Sequence, residues 1–116
     1  MSDIDKELLK GSTTLMVLAI LAEGELYGYA LIKELEARSE QALCLGEGTV
    51  YPLLRSLEGR GAVAARWGSA GGRRRRYYRL TDGGHELLQS KRVEWRRFAS
   101  LVDSVIGARA EQGGHR

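Results

Sequence analysis

The chain has one cysteine, one proline, one phenylalanine and two histidines among 116 residues. With Cys44 alone, no intramolecular disulfide can form. That cysteine reads either as a small buried or half-buried side chain or as a redox-sensing thiol, and the scarcity of reactive thiols favours the first. His85 and His115 stand far apart, no Cys/His spacing suits a metal, and Gly46-Glu47-Gly48 is no phosphate loop. These absences argue against an enzyme and imply no cofactor. The longest strongly apolar run, Leu15 to Ala22, is too short to cross a bilayer and too far from Met1 for a simple signal peptide. It reads as a buried helix of a cytoplasmic protein with no membrane partner.

Acidic residues are missing from one stretch. Between Gly59 and Thr81 lie seven arginines (Arg60, Arg66, Arg73 to Arg76, Arg79) and no aspartate or glutamate. The remainder carries 11 basic against 15 acidic residues, so the chain is mildly acidic except for one intensely basic segment. A solvated face usually mixes both signs, and clustering of one sign points to a polyanionic partner.

What is present reads as one domain with a real core. A first helix spans about Asp5 to Glu23, with Leu8, Leu9, Leu15, Met16, Leu18, Ala19 and Leu21 covering much of its circumference. A second, about Gly28 to Arg38, places Ala30, Leu31 and Leu35 at helical spacing. "SEQALCLGEG" is a connection whose Leu43 and Leu45 tuck into the core. A third helix, about Gly48 to Arg60, repeats Val50, Leu53, Leu54 and Leu57 at three and four, and Gly61 is placed to end it. The period then changes to two: "AVAARW" and "RYYRLT" are strand candidates joined by "GSAGGRRR" as a flexible hairpin connection. "TDGGHELL" opens a long last helix with Thr81 or Asp82 as its cap.

That last helix is amphipathic from Leu87 to Ile106. Leu88, Trp95 and Val102 are seven apart, with Lys91, Phe98 and Val105 between them at heptad spacing. A small domain has little core left to cover so wide a stripe, so a second copy of the chain is the expected partner; packing against the first helix is the alternative. The order of elements, with a basic glycine-rich hairpin, is that of a winged helix-turn-helix. The major groove of B-DNA accepts one helix, a second braces it, and an arginine-bearing hairpin can reach phosphates or the minor groove.

Within "TVYPLLRSLE" the leucines face the core and leave Thr49, Tyr51, Pro52, Arg55 and Ser56 largely on the opposite face. Short donors, an apolar ring and one bidentate donor suit phosphates, thymine methyls and guanine edges. Pro52 falls within or just past the first turn, where the lost backbone donor costs less. Tyr51 has a core tyrosine as its alternative. Glu47 suits the start of a helix but would repel a phosphate. Of Tyr27 and Tyr29, at the start of the bracing helix, one can hold a phosphate while the other packs inward, and Tyr27 is the choice for the DNA side. Adjacent charges in Arg73, Arg74, Arg75 and Arg76 repel one another, and phosphates offset that cost.

The segments "LYGYALIKELE", "GEGTVYPLLRSLEGRGAV", "GGRRRRYYRLTDGG" and "EWRRF" resemble the PadR family of bacterial transcriptional regulators, over about Leu8 to Ile106. The single short C-terminal helix is similar to the compact branch of that family. The resemblance implies a mainly α fold with a small β-hairpin: a winged helix-turn-helix over residues 5–81, a dimerisation helix over 82–107 and a disordered tail over 108–116. It implies a homodimeric repressor that binds a palindromic operator in double-stranded DNA and leaves it on binding an effector. Carried over by position, Tyr27, Thr49, Tyr51, Pro52 and Arg55 face DNA and Arg73 to Arg76 form the wing contacts. Trp95 matches an aromatic position that in some compact members lines a flat-ligand pocket at the dimer interface, and aromatic drugs or phenolic acids are typical effectors. Plain interface packing of Trp95, alongside Leu88, Phe98 and Val102, is the preferred reading over such a pocket, and a protein-binding winged helix is the other functional class.

Overall fold

A computed structural model describes residues 11–107. The elements run α1 (Thr13–Leu21), β1 (Leu26–Tyr27), α2 (Gly28–Arg38), α3 (Glu47–Gly59), β2 (Val63–Ala70), β3 (Arg73–Leu80) and α4 (Asp82–Ile106). The start of the first helix at Asp5, with Leu8 and Leu9, and the tail 108–116 lie outside the described residues. The second helix has the expected bounds, and the third begins and ends one residue earlier than its periodicity predicts.

Apolar periodicity closes the core. Val17, Leu18, Leu31, Val50, Leu54 and Leu57 are fully buried where α1, α2 and α3 meet, and Val63, Tyr78 and Leu80 cover them from the sheet. Leu43 is buried and Leu45 packs against the cluster, so the connection between α2 and α3 is pinned to the domain. Cys44, between those two leucines, is exposed instead of half-buried, because the alternation that turns its neighbours inward turns it out. Thr81 joins wing to last helix: its hydroxyl accepts from the Gly84 N–H at 3.0 Å, capping α4, and donates to the Gly61 carbonyl at 2.6 Å.

The hairpin differs from the expected one. β2 and β3 pair from Val63↔Leu80 out to Ala70↔Arg73, leaving only Gly71 and Gly72 as the turn. Both glycines have positive φ, +59° and +75°, the geometry of a two-residue turn whose twist matches the strands. The arginine run is therefore strand and not flexible loop. β1 adds a third strand in the order β1-β3-β2, meeting β3 only at Tyr77 and Tyr78.

Pro52 lies past the first turn, as the sixth residue of α3, and the helix runs on through it. Lacking an N–H, it leaves the Gly48 carbonyl without its usual donor four residues on. α4 packs against α1 at its base and projects from the domain, giving overall dimensions of 60 × 32 × 21 Å.

Candidate nucleic-acid interface

The starts of α2 and α3 and the outer half of β3 converge on one open groove of about 650 Å³. Tyr27, Gly28 and Tyr29 line one side, Glu47 and Tyr51 the floor, and Trp67 with Arg73 to Arg76 the wing side. Residues far apart in sequence meet here because β3 carries its arginines beyond the short reach of β1, back past the start of α2.

Strand alternation sorts the four arginines. Arg74 and Arg76 share a face with Trp67, which pairs directly with Arg76, and their guanidinium carbons stand 4.5 and 5.4 Å from the Trp67 ring centre. Arg75 lies on the other face, over the Tyr27 ring at 4.2 Å. The Tyr27 ring meets Tyr77 edge-on at 5.7 Å, and Arg66 covers Tyr77 at 4.8 Å. Mutual repulsion is thus eased within the protein by alternation to opposite faces and by ring quadrupoles.

Two arginines of the basic segment have carboxylate partners from outside it. Arg66 holds Glu25 through two hydrogen bonds of 2.8 and 2.7 Å, and Arg76 reaches Glu58 of α3 at 2.9 Å. The Arg66 guanidinium keeps the Glu25 carboxyl below the usual range, as Arg38 does for Glu23 at the far end of α2. The Arg73 side chain makes no hydrogen bond, ion pair or ring contact with the described residues, and the buried Nε of Arg75 has no hydrogen-bond partner among them.

On α3, Thr49, Pro52, Arg55 and Ser56 are exposed together, while Leu53 is half-buried and Leu54 and Leu57 are buried. Tyr51 is half-buried, and its ring lies where a side chain at position 28 would stand; only glycine fits there. Burial, followed by the negative charge of Glu47, pushes the Tyr51 phenol above its ordinary value. Its ring thus packs against α2 and also lines the groove. The two tyrosines at the start of α2 both line the groove but differ in exposure. Tyr27 is half-buried beneath Arg75, whereas Tyr29 is 50% exposed at the rim, with Lys33 5.3 Å above its ring.

Trp67, Tyr29 and Gly28 line the groove and Glu58 holds Arg76 beside it, and none of the four is among the residues chosen from the sequence for the DNA side. Trp67 was within reach: reading Gly71-Gly72 as a two-residue turn pairs it with Arg76 by counting. The remaining three depend on contacts between elements. Leu88, placed on the outer stripe of the last helix, belongs to the domain core, at 5% exposure. The uncovered stripe begins one heptad later, with Trp95 and Phe98, whose rings are 6.4 Å apart, and continues through Leu101, Val105 and Ile106. Val102 is half-buried. Among the described residues no helix is long and apolar enough to cross a membrane, and no His/Cys/Asp/Glu group is arranged to hold a metal ion.

A family model described as the transcriptional regulator PadR-like family matches residues 17–90. A transcriptional regulator of Mycobacterium tuberculosis is 30% identical over 110 residues, covering 95% of this chain and 97% of the relative. A transcriptional regulator from Clostridium thermocellum has a similar solved structure, with a TM-score of 0.81 at 27% identity over 87% of this chain and 96% of that one. A PadR family transcriptional regulator from Eggerthella lenta gives 0.76 at 35% identity, over 86% of each chain. The described architecture, four helices and a small antiparallel sheet, is the winged helix-turn-helix with a C-terminal helix that the residues predicted. From α1 into α4, this chain belongs to the PadR-like family of transcriptional regulators.

Proposed function

We propose that the chain is a cytoplasmic, homodimeric, sequence-specific repressor acting on a palindromic operator. The observation that carries this reading is the groove where four consecutive arginines of the wing meet Glu47 and Tyr51 of α3, a helix that exposes Thr49, Pro52, Arg55 and Ser56. α3 enters the major groove with Arg55 toward a guanine edge, while Arg73 and Arg74 meet phosphates beside it. The apolar stripe from Trp95 to Ile106 pairs with its copy, so that two α3 helices face successive turns of one duplex. Selection of bound duplexes from a random pool tests the whole of this. A palindrome with half-sites about 10 bp apart is the expected product, and recovery of unrelated sequences would defeat it.

A ligand-responsive repressor is the second reading, supported by the exposed Trp95–Phe98 ring pair on the same stripe. A planar aromatic compound stacked there at the dimer interface would change the angle between the two α4 helices and release the operator. Because Trp67 also fluoresces, the test is quenching of Trp95 emission in a Trp67→Phe variant across a panel of planar aromatics. A flat response throughout would remove this reading.

A further inference from the structure

This inference rests on the reading of α3 as the recognition helix. Glu47, the first residue of α3, is exposed and lines the arginine groove. Three other acidic residues are paired with an arginine distant in sequence: Glu23 with Arg38, Glu25 with Arg66 and Glu58 with Arg76. The Glu47 carboxylate makes no hydrogen bond or ion pair with the described residues, although Arg73 to Arg76 line the same groove. It does not cap its helix either, since the Gly46 carbonyl takes the Thr49 and Val50 N–H groups and no side chain caps the start.

An unpaired carboxylate facing DNA costs binding through phosphate repulsion unless the duplex supplies a donor. A carboxylate at this position calls for an amino group. In the major groove only cytosine N4 and adenine N6 offer one. Adenine places its N7 acceptor next to N6, where it would repel a carboxylate, whereas cytosine presents only a C–H there.

We infer that Glu47 is a specificity-determining residue: it accepts a hydrogen bond from the exocyclic amino group of a cytosine at one fixed position of each half-site. Arg55, two turns further along α3, reads a different base pair, so the two preferences are separable.

The test is duplex selection from a random pool with the full chain and with Glu47→Gln and Glu47→Ala. Helical circular dichroism should be unchanged, since the side chain is exposed. The wild type should select cytosine at one position of each half-site, on the order of tenfold over other bases. Glu47→Gln should shift that position toward adenine, whose N6 and N7 suit an amide. Glu47→Ala should lose preference there and keep the remaining motif. Two results overturn the inference while leaving the repressor reading intact: the same motif from all three proteins, or tighter binding of Glu47→Ala to every duplex alike. A wild type that selects no motif at all overturns both.

Discussion

Arg76 Nη2 stands 2.9 Å from Glu58 Oε2, so the last arginine of the run joins the wing to α3. The same guanidinium lies 5.4 Å from the Trp67 ring centre. It is thus a positioning group more than a free cation. Replacing Arg73 or Arg74 by alanine should lower the slope of log K against log salt by about one for each phosphate that is no longer neutralised. Arg76→Ala should change the slope less and broaden sequence preference, as the wing loses its bearing on α3. Salt titrations on a fixed operator duplex measure both; equal slope changes for all three variants would contradict the assignment.

Arg55 is exposed on α3, without a partner among the described residues. Arg55→Ala should relax preference at one base pair per half-site and cost about 1–3 kcal/mol on the operator. Affinity for random duplex should fall far less. Competition binding between operator and scrambled sequence supplies the comparison.

A side chain at position 28 would occupy the space of the Tyr51 ring. Gly28→Ala should therefore cost about 1–3 kcal/mol in urea unfolding. In a Tyr51→Ala background the same change should cost much less, because the ring it meets is gone. A double-mutant cycle with no coupling energy would show that the two positions are independent.

The Tyr51 phenol titrates above its ordinary value of 10.0, chiefly because it is buried. The folded chain then holds that proton more tightly than the unfolded chain. The resulting stability is complete below pH 10, the ordinary phenol value, and is lost as pH rises through the folded-state value. Tyr51→Phe should flatten this alkaline decline in the urea midpoint. An unchanged decline would assign it to other tyrosines.

Leu101 and Val105 are 61% and 78% exposed, so a charge at either position costs the isolated domain little. Leu101→Asp or Val105→Asp should shift sedimentation toward the monomer with unchanged helical circular dichroism. Binding to a two-half-site duplex should weaken by about a hundredfold, since avidity is lost. A single half-site should be bound as before.

Most of the helical frame was legible because local pattern decides it. Gly28 to Arg38 and the leucines of α3 repeat at three and four, and the repeat holds wherever one face must be buried. The hairpin itself is legible, but its connection reads as longer than it is because glycine content and adjacent charges both suggest a loop. Alternation in β3 sends Arg74 and Arg76 to Trp67 and Arg75 to Tyr27, and Glu58 comes from another element altogether. Those partners lie 7 to 48 residues away in sequence, out of range of any local periodicity. The lower exposure of Tyr27 than of Tyr29 has the same origin, because β1 ties Tyr27 to Tyr77.

The two-glycine turn has a consequence for evolution. With no slack between β2 and β3, the run of four arginines is read by odd and even position, and each parity has its own neighbours. Losing or gaining one residue between Gly72 and Tyr77 would exchange the set that stacks on Trp67 with the set that faces Tyr27, leaving net composition almost untouched. A change of two residues would restore the parity and only alter the reach of the wing. Length variation in this hairpin should therefore be tolerated in pairs, as a ratchet with a two-residue step.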